Sequence, residues 1–94
     1  MKHGQLIIIN SSVSFQNEAG EIIWQKGCPT LKEWNSLWPL AQIDENSLKK
    51  GTYRYLQHQS STVVIVVFTP LNSGDSNIHF DINTGIINAI SEAR

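Results

Sequence analysis

Thr62 is followed without interruption by Val63, Val64, Ile65, Val66, Val67 and Phe68, a run with no charge, glycine or proline. β-Branched and aromatic side chains favour extended backbone, so the run reads as the central strand of a sheet. Side chains alternate across a strand, placing Val63, Ile65 and Val67 on one side and Val64, Val66 and Phe68 on the other. A strand apolar on both faces must be covered on both. Leu6, Ile7, Ile8 and Ile9 pose the same problem near the N-terminus.

The rest of the chain limits what can supply that cover. Ninety-four residues suffice for a single domain, 1–94, with a core of modest size. Hydrophobic residues at 40% and charged residues at 16% describe a globular chain. A formal charge of -1 gives no global field that would gather nucleic acid or an anionic membrane surface. The apolar run after Gly4 is too short for a secretory signal, and no stretch approaches the roughly 18 apolar residues of a membrane span. One cysteine allows no internal disulfide framework and fits a reducing compartment. The expected location is cytoplasmic.

Local patterns place the remaining elements. Gln5 to Asn10 form a first strand, and Val13 and Phe15 continue in alternation with Ser12, Ser14 and Gln16. Asn10, Ser11 and Ser12 are expected to bulge or bend between two halves of one long strand. A turn over Asn17 to Gly20 returns the chain through Ile22, Ile23 and Trp24 as a hairpin arm. Thr30 followed three residues later by Glu33 is a capping box opening a helix, on which Leu31, Trp34, Trp38 and Ala41 form one stripe. Pro39 either ends that helix near Trp38 or kinks it. Asp44 to Ser47 read as a linker or a further helical turn.

Four strands follow. The first spans residues 52–59, the second is the central run, the third carries Ile78, Phe80 and Ile82, and the last covers residues 86–90 after the turn at Asn83, Thr84 and Gly85. Residues 71–77 form the longest loop, and the tail from Ser91 to Arg94 is expected to fray. The fold class is α+β: an antiparallel meander of about six strands, ordered ββαββββ, with one main helix packed on one face.

The chemistry on offer is thin. Cys28 sits just ahead of the helix, where a thiolate is stabilised, and His58 or His79 could serve as its base. An incidental loop thiol is the commoner occurrence of such a residue. His3, His58 and His79 share no metal-ligand spacing, and Asp81 with Asn83 lacks the pattern of a calcium loop, so no metal or cofactor is expected. Lys49, Lys50, Tyr53, Arg54 and Tyr55 interleave basic and aromatic residues, and two tyrosines on one strand face could stack on unpaired bases. The acidic neighbours Asp44 and Glu45 weigh against that use. Trp34 and Trp38 read first as core and, if exposed, as interface anchors.

Surplus apolar surface is what remains. Each such side chain contributes roughly 1.5–3 kcal/mol when buried, so five left in water forgo on the order of 10 kcal/mol. The sheet could curl until the N-terminal hairpin closes its second face, or that face could meet a second copy in a homodimer, or a different protein. The expected function is a small non-catalytic protein-binding module, of the kind bacteria or phages encode as inhibitors or immunity proteins. Its expected contact residues are Trp34, Trp38, Tyr53, Tyr55, Val64, Val66 and Phe68. A nucleic-acid-binding or regulatory domain using residues 49–55 is the alternative, and a cysteine-dependent enzyme the third.

Overall fold

The structure is a computed structural model and describes residues 4–93; His3 and Arg94 lie outside them. Its elements are β1 (Gln5–Ile9), β2 (Ser12–Gln16), β3 (Ile22–Lys26), α1 (Leu31–Leu37), α2 (Glu45–Lys49), β4 (Thr52–Gln59), β5 (Val63–Thr69), β6 (Ser76–Asp81) and β7 (Ile87–Glu92). The fold is α+β with antiparallel pairing throughout, in two sheets ordered β1-β2-β3 and β4-β5-β6-β7. The central run is β5, an interior strand, as its composition requires.

Seven strands replace the six expected because Asn10 and Ser11 make a tight turn and not a bend. Asn10 adopts φ 49, which asparagine tolerates, and β1 folds back on β2 with Leu6 opposite Phe15 and Ile8 opposite Val13. At the next turn Asn17 Oδ1 accepts from the backbone N–H groups of Ala19 and Glu21, and Gly20 supplies φ 83. The tail is more ordered than expected: Ser91 and Glu92 pair with Asn77 and Ser76 at the end of β7.

Helix α1 carries the complete capping box. Glu33 N–H donates to Thr30 Oγ1 at 3.1 Å, and Thr30 N–H donates to Glu33 Oε1 at 2.9 Å. The helix ends at Trp38, which leaves helical geometry at φ -145 ahead of Pro39. Lys26 Nζ lies 2.7 Å from Glu33 Oε2 and ties the helix start to β3. The stretch after Asp44 is a second short helix, with Asp44 Oδ1 accepting from Ser47 N–H at 2.7 Å.

The core has one inner side. Val64, Val66, Phe68, Ile78, Phe80, Ile87 and Ile90 of the larger sheet meet Val13, Phe15 and Trp24 of the smaller one, with Trp34 and Leu48 from the helices. Aromatic rings link the layers in sequence: Phe15 to Trp24 at 5.9 Å, Trp24 to Phe80 at 5.5 Å, Phe80 to Tyr53 at 6.0 Å and Tyr53 to Phe68 at 4.9 Å. Both the helices and the N-terminal sheet therefore cover the same face of β5, the one bearing Val64, Val66 and Phe68.

Candidate functional site

Strand β4 decides which side chains reach the surface. It is an edge strand, and its register slips between Tyr53 and Tyr55 and again between Leu56 and His58. Each slip is a bulge that reverses the in–out alternation. Tyr53 thus pairs with Phe68 and points into the core, whereas Tyr55 pairs with Val67 and points outward. The two tyrosines do not share a face, contrary to the expectation from simple alternation. Tyr53 is 2% exposed and its hydroxyl donates to Gly27 O at 2.9 Å. Burial, with smaller contributions from Cys28 and Glu33 when ionised, pushes its phenol far above the usual range. It cannot stack on a base. Arg54 is engaged with Thr69 Oγ1 at 3.1 Å, and Lys49 lies 3.6 Å from Glu45.

Five of the seven expected contact residues are core. Val64, Val66 and Phe68 are completely buried beneath the N-terminal sheet and helices, and Trp34 joins Tyr53 at 2% exposure. These side chains have no surface to offer, because the expected open face is the one the rest of the chain covers. Trp38 is half-buried against the core, its ring 5.6 Å from that of Trp34. Tyr55 alone is well exposed, at 55%.

Among the described residues, the structure brings no histidine to Cys28. The Cys28 thiol lies among backbone carbonyls, 3.6 Å from Ser11 O and 3.7 Å from Gly51 O. Burial raises its pKa, outweighing the opposing backbone N–H groups of Cys28 and Gly51, so the lowering expected ahead of a helix does not occur. Neither histidine is its partner: His79 Nε2 sits 3.3 Å from Ser91 Oγ and His58 pairs across the ladder with Ile65. Asp81 Oδ1 accepts from the N–H groups of Asn83 and Thr84, the bonds of a hairpin turn. Among the described residues, no three histidine, cysteine or carboxylate side chains converge.

What remains is the outer face of the four-stranded sheet. Register places Val63, Ile65 and Val67 there, between Tyr55 and His58 on one side and Asn77, His79 and Asp81 on the other, with Ala89 beyond. Val63, Ile65, His79 and Ala89 are all half-exposed. Val67 is buried yet lies outside the core cluster, flanked by Tyr55 and Asn77. Partial burial lowers the His79 pKa from its ordinary 6.5 and so favours the neutral ring. The signal that could have identified this face is the pairing of Ile65 with polar His79, but it needs the β5–β6 register. No protein-family model, curated protein or solved structure gives a significant match to the chain.

Proposed function

We propose that this chain is a small non-catalytic protein-binding module of the inhibitor or immunity type, acting through the outer face of the β4–β7 sheet. One observation carries the reading: Val63 and Ile65 of the second apolar row of β5 stay half-exposed after the core is complete, while Val67 of the same row is covered by its neighbours. Val63 and Ile65 form a small apolar centre between His58 on one side and His79 and Asp81 on the other, with Tyr55 opposite Val67 along the strand and Ala89 beyond His79, an apolar patch with a polar rim of the sort a partner protein buries. Tyr55 is its anchor, a large exposed aromatic ring on a paired strand. The groups that could have done chemistry are used internally, the Tyr53 hydroxyl on Gly27 and the Cys28 thiol on backbone carbonyls.

The partner is a different protein or a second copy, and one pair of variants separates these. Ile65→Lys places a charge at the centre of the outer face, and Ile22→Lys places one at an exposed site on the other sheet. Cross-linking of a partner to the wild type and to Ile22→Lys, with loss in Ile65→Lys, supports the proposal. Sedimentation of the wild type as a dimer that Ile65→Lys converts to a monomer identifies the partner as a second copy. Equal capture by all three proteins sinks it.

A further inference from the structure

Across β5, the outer face sets side chains of β4 against side chains of β6 with matching chemistry. At the level of Val67 stand Tyr55 and Asn77, and at the level of Ile65 stand His58 and His79. At Thr69, Arg54 Nε donates to Oγ1 at 3.1 Å from the β4 side, and that hydroxyl donates to Asp75 Oδ1 at 2.6 Å just ahead of β6. A base thus lies across β5 from an acid, and a phenol donor across it from an amide.

The amide is the unusual member. Asn77 Oδ1 is buried and has no hydrogen-bond partner among the described residues. Asn77 as a whole is only partly buried, so a turn about its terminal torsion brings that oxygen to the surface. Buried carbonyl oxygens are normally satisfied, and this one gains by meeting a donor from outside.

We propose that a second copy of the chain packs on this face about a two-fold axis running along β5, with Tyr55 donating to Asn77 of the partner subunit. This dimer presupposes the outer-face contact proposed above and gives it an occupant and an orientation. Such an axis lays β4 of each copy over β6 of the other, level with level. Arg54 then faces the partner's Asp75, Tyr55 faces the partner's Asn77, and His58 faces the partner's His79, each contact made twice. The first two pairs join a long side chain to a short one, which suits the roughly 10 Å between packed sheets. Neutral imidazoles suit each other as donor and acceptor. A two-fold axis across the strands would lay β6 on β6 and set Asp75 at the Thr69 level against the partner's Asp81 at the Val63 level, two like charges. Charge therefore selects the axis along β5. Three strands about 4.8 Å apart and four outward rows about 6.8 Å apart give a contact of roughly 400 Å² per copy. That is the size of a weak, reversible association, with a dissociation constant on the order of 100 μM.

Sedimentation equilibrium of the whole chain tests this. Arg54→Asp alone sets two carboxylates against each other, and Asp75→Arg alone sets two guanidinium groups, so each is expected to weaken self-association at least about tenfold. Mixed in equal amounts, the two variants restore opposite charges at both contacts and are expected to associate like the wild type. Circular dichroism matching the wild type shows that each is folded. Tyr55→Phe, which keeps the ring, and Asn77→Leu each weaken the dimer about fivefold, and together no more than either alone. A wild type that stays monomeric at roughly 1 mM overturns the dimer and leaves the outer face to a different protein, which the cross-linking above tests. A wild-type dimer that ignores both charge reversals, or folded variants that the mixture does not rescue, overturns this arrangement. If the dimer also survives Ile65→Lys, the outer-face contact falls with it.

Discussion

Trp24 of the three-stranded sheet stacks on Phe80 of the four-stranded sheet, ring centroids 5.5 Å apart and planes inclined at 22°. Its indole N–H also donates to Ile82 O at 2.8 Å, so one side chain joins the layers by both packing and a buried hydrogen bond. Trp24→Phe keeps a ring and leaves that carbonyl without its donor, an expected loss of about 1–3 kcal/mol. Trp24→Ala also opens a cavity and is expected to cost about 3–5 kcal/mol. Urea unfolding of the two variants checks the gap between them.

Gly85 lies under the same tryptophan. It adopts φ 76, and a Cβ there would fall 2.6 Å from Trp24 Cδ2, whereas Gly20 at φ 83 faces open space. Gly20→Ala therefore isolates backbone strain, expected at about 1 kcal/mol. Gly85→Ala adds overpacking and should lose a further 1–3 kcal/mol or so. Thermal melts of the pair decide; equal losses would mean that Trp24 moves aside without cost.

The capping box gives a pH dependence with a defined sign. Burial works against ionisation of Glu33, but the Lys26 ammonium and the Thr30 bonds outweigh it and hold its carboxyl below the ordinary 4.5. A carboxyl with a lowered folded pKa adds stability above its unfolded value, and loses it as pH falls through the folded one. Wild type should exceed Glu33→Gln in stability at pH 7, and the difference should close as pH drops below about 4.5. Denaturant unfolding of both at pH 7 and pH 3 measures it; a constant difference would mean that the Glu33 charge contributes nothing.

Local signals were legible in the sequence and face assignments were not. The capping box at Thr30 and the interior strand at Val63 to Phe68 each depend on neighbouring residues, and each stands where composition put it, whereas Pro39 left an end and a kink both open and the structure has the end. The hairpin at Asn10 escaped because alternation reads alike on either side of a bend and a turn. The opposite facing of Tyr53 and Tyr55 escaped because the slip beside Arg54 leaves the alternating pattern intact while reversing its sense. Which row of β5 would be covered depended on where two sheets and two helices met.

Cys28 provides a chemical check on its surroundings. A thiol whose pKa is raised by burial reacts slowly near neutrality, and its alkylation rate should still be rising above pH 9, the ordinary thiol value in this setting. Iodoacetamide labelling of the folded chain is expected to run slower than labelling in denaturant at every pH between 7 and 9. Cys28→Ser should fold, since a hydroxyl can donate to the same Ser11 and Gly51 carbonyls. Fast labelling at pH 7 would mean that the thiol is not held as described.

The two rows of β5 make the most direct comparison. Val66 is completely buried in the core and pairs with Leu56 and Ile78, while its neighbour Ile65 lies half-exposed on the outer face between His58 and His79. Val66→Lys buries an unpaired ammonium and is expected to remove at least about 4 kcal/mol, enough to unfold much of the population. Ile65→Lys lets the stem lie along the sheet with its charge in water, so the expected loss is about 1 kcal/mol or less. Circular dichroism and urea titration of the two proteins read this directly. A folded Val66→Lys would put the open face on the other row and remove the basis for the outer-face contact. An Ile65→Lys that unfolds as readily as Val66→Lys would show that both rows are core.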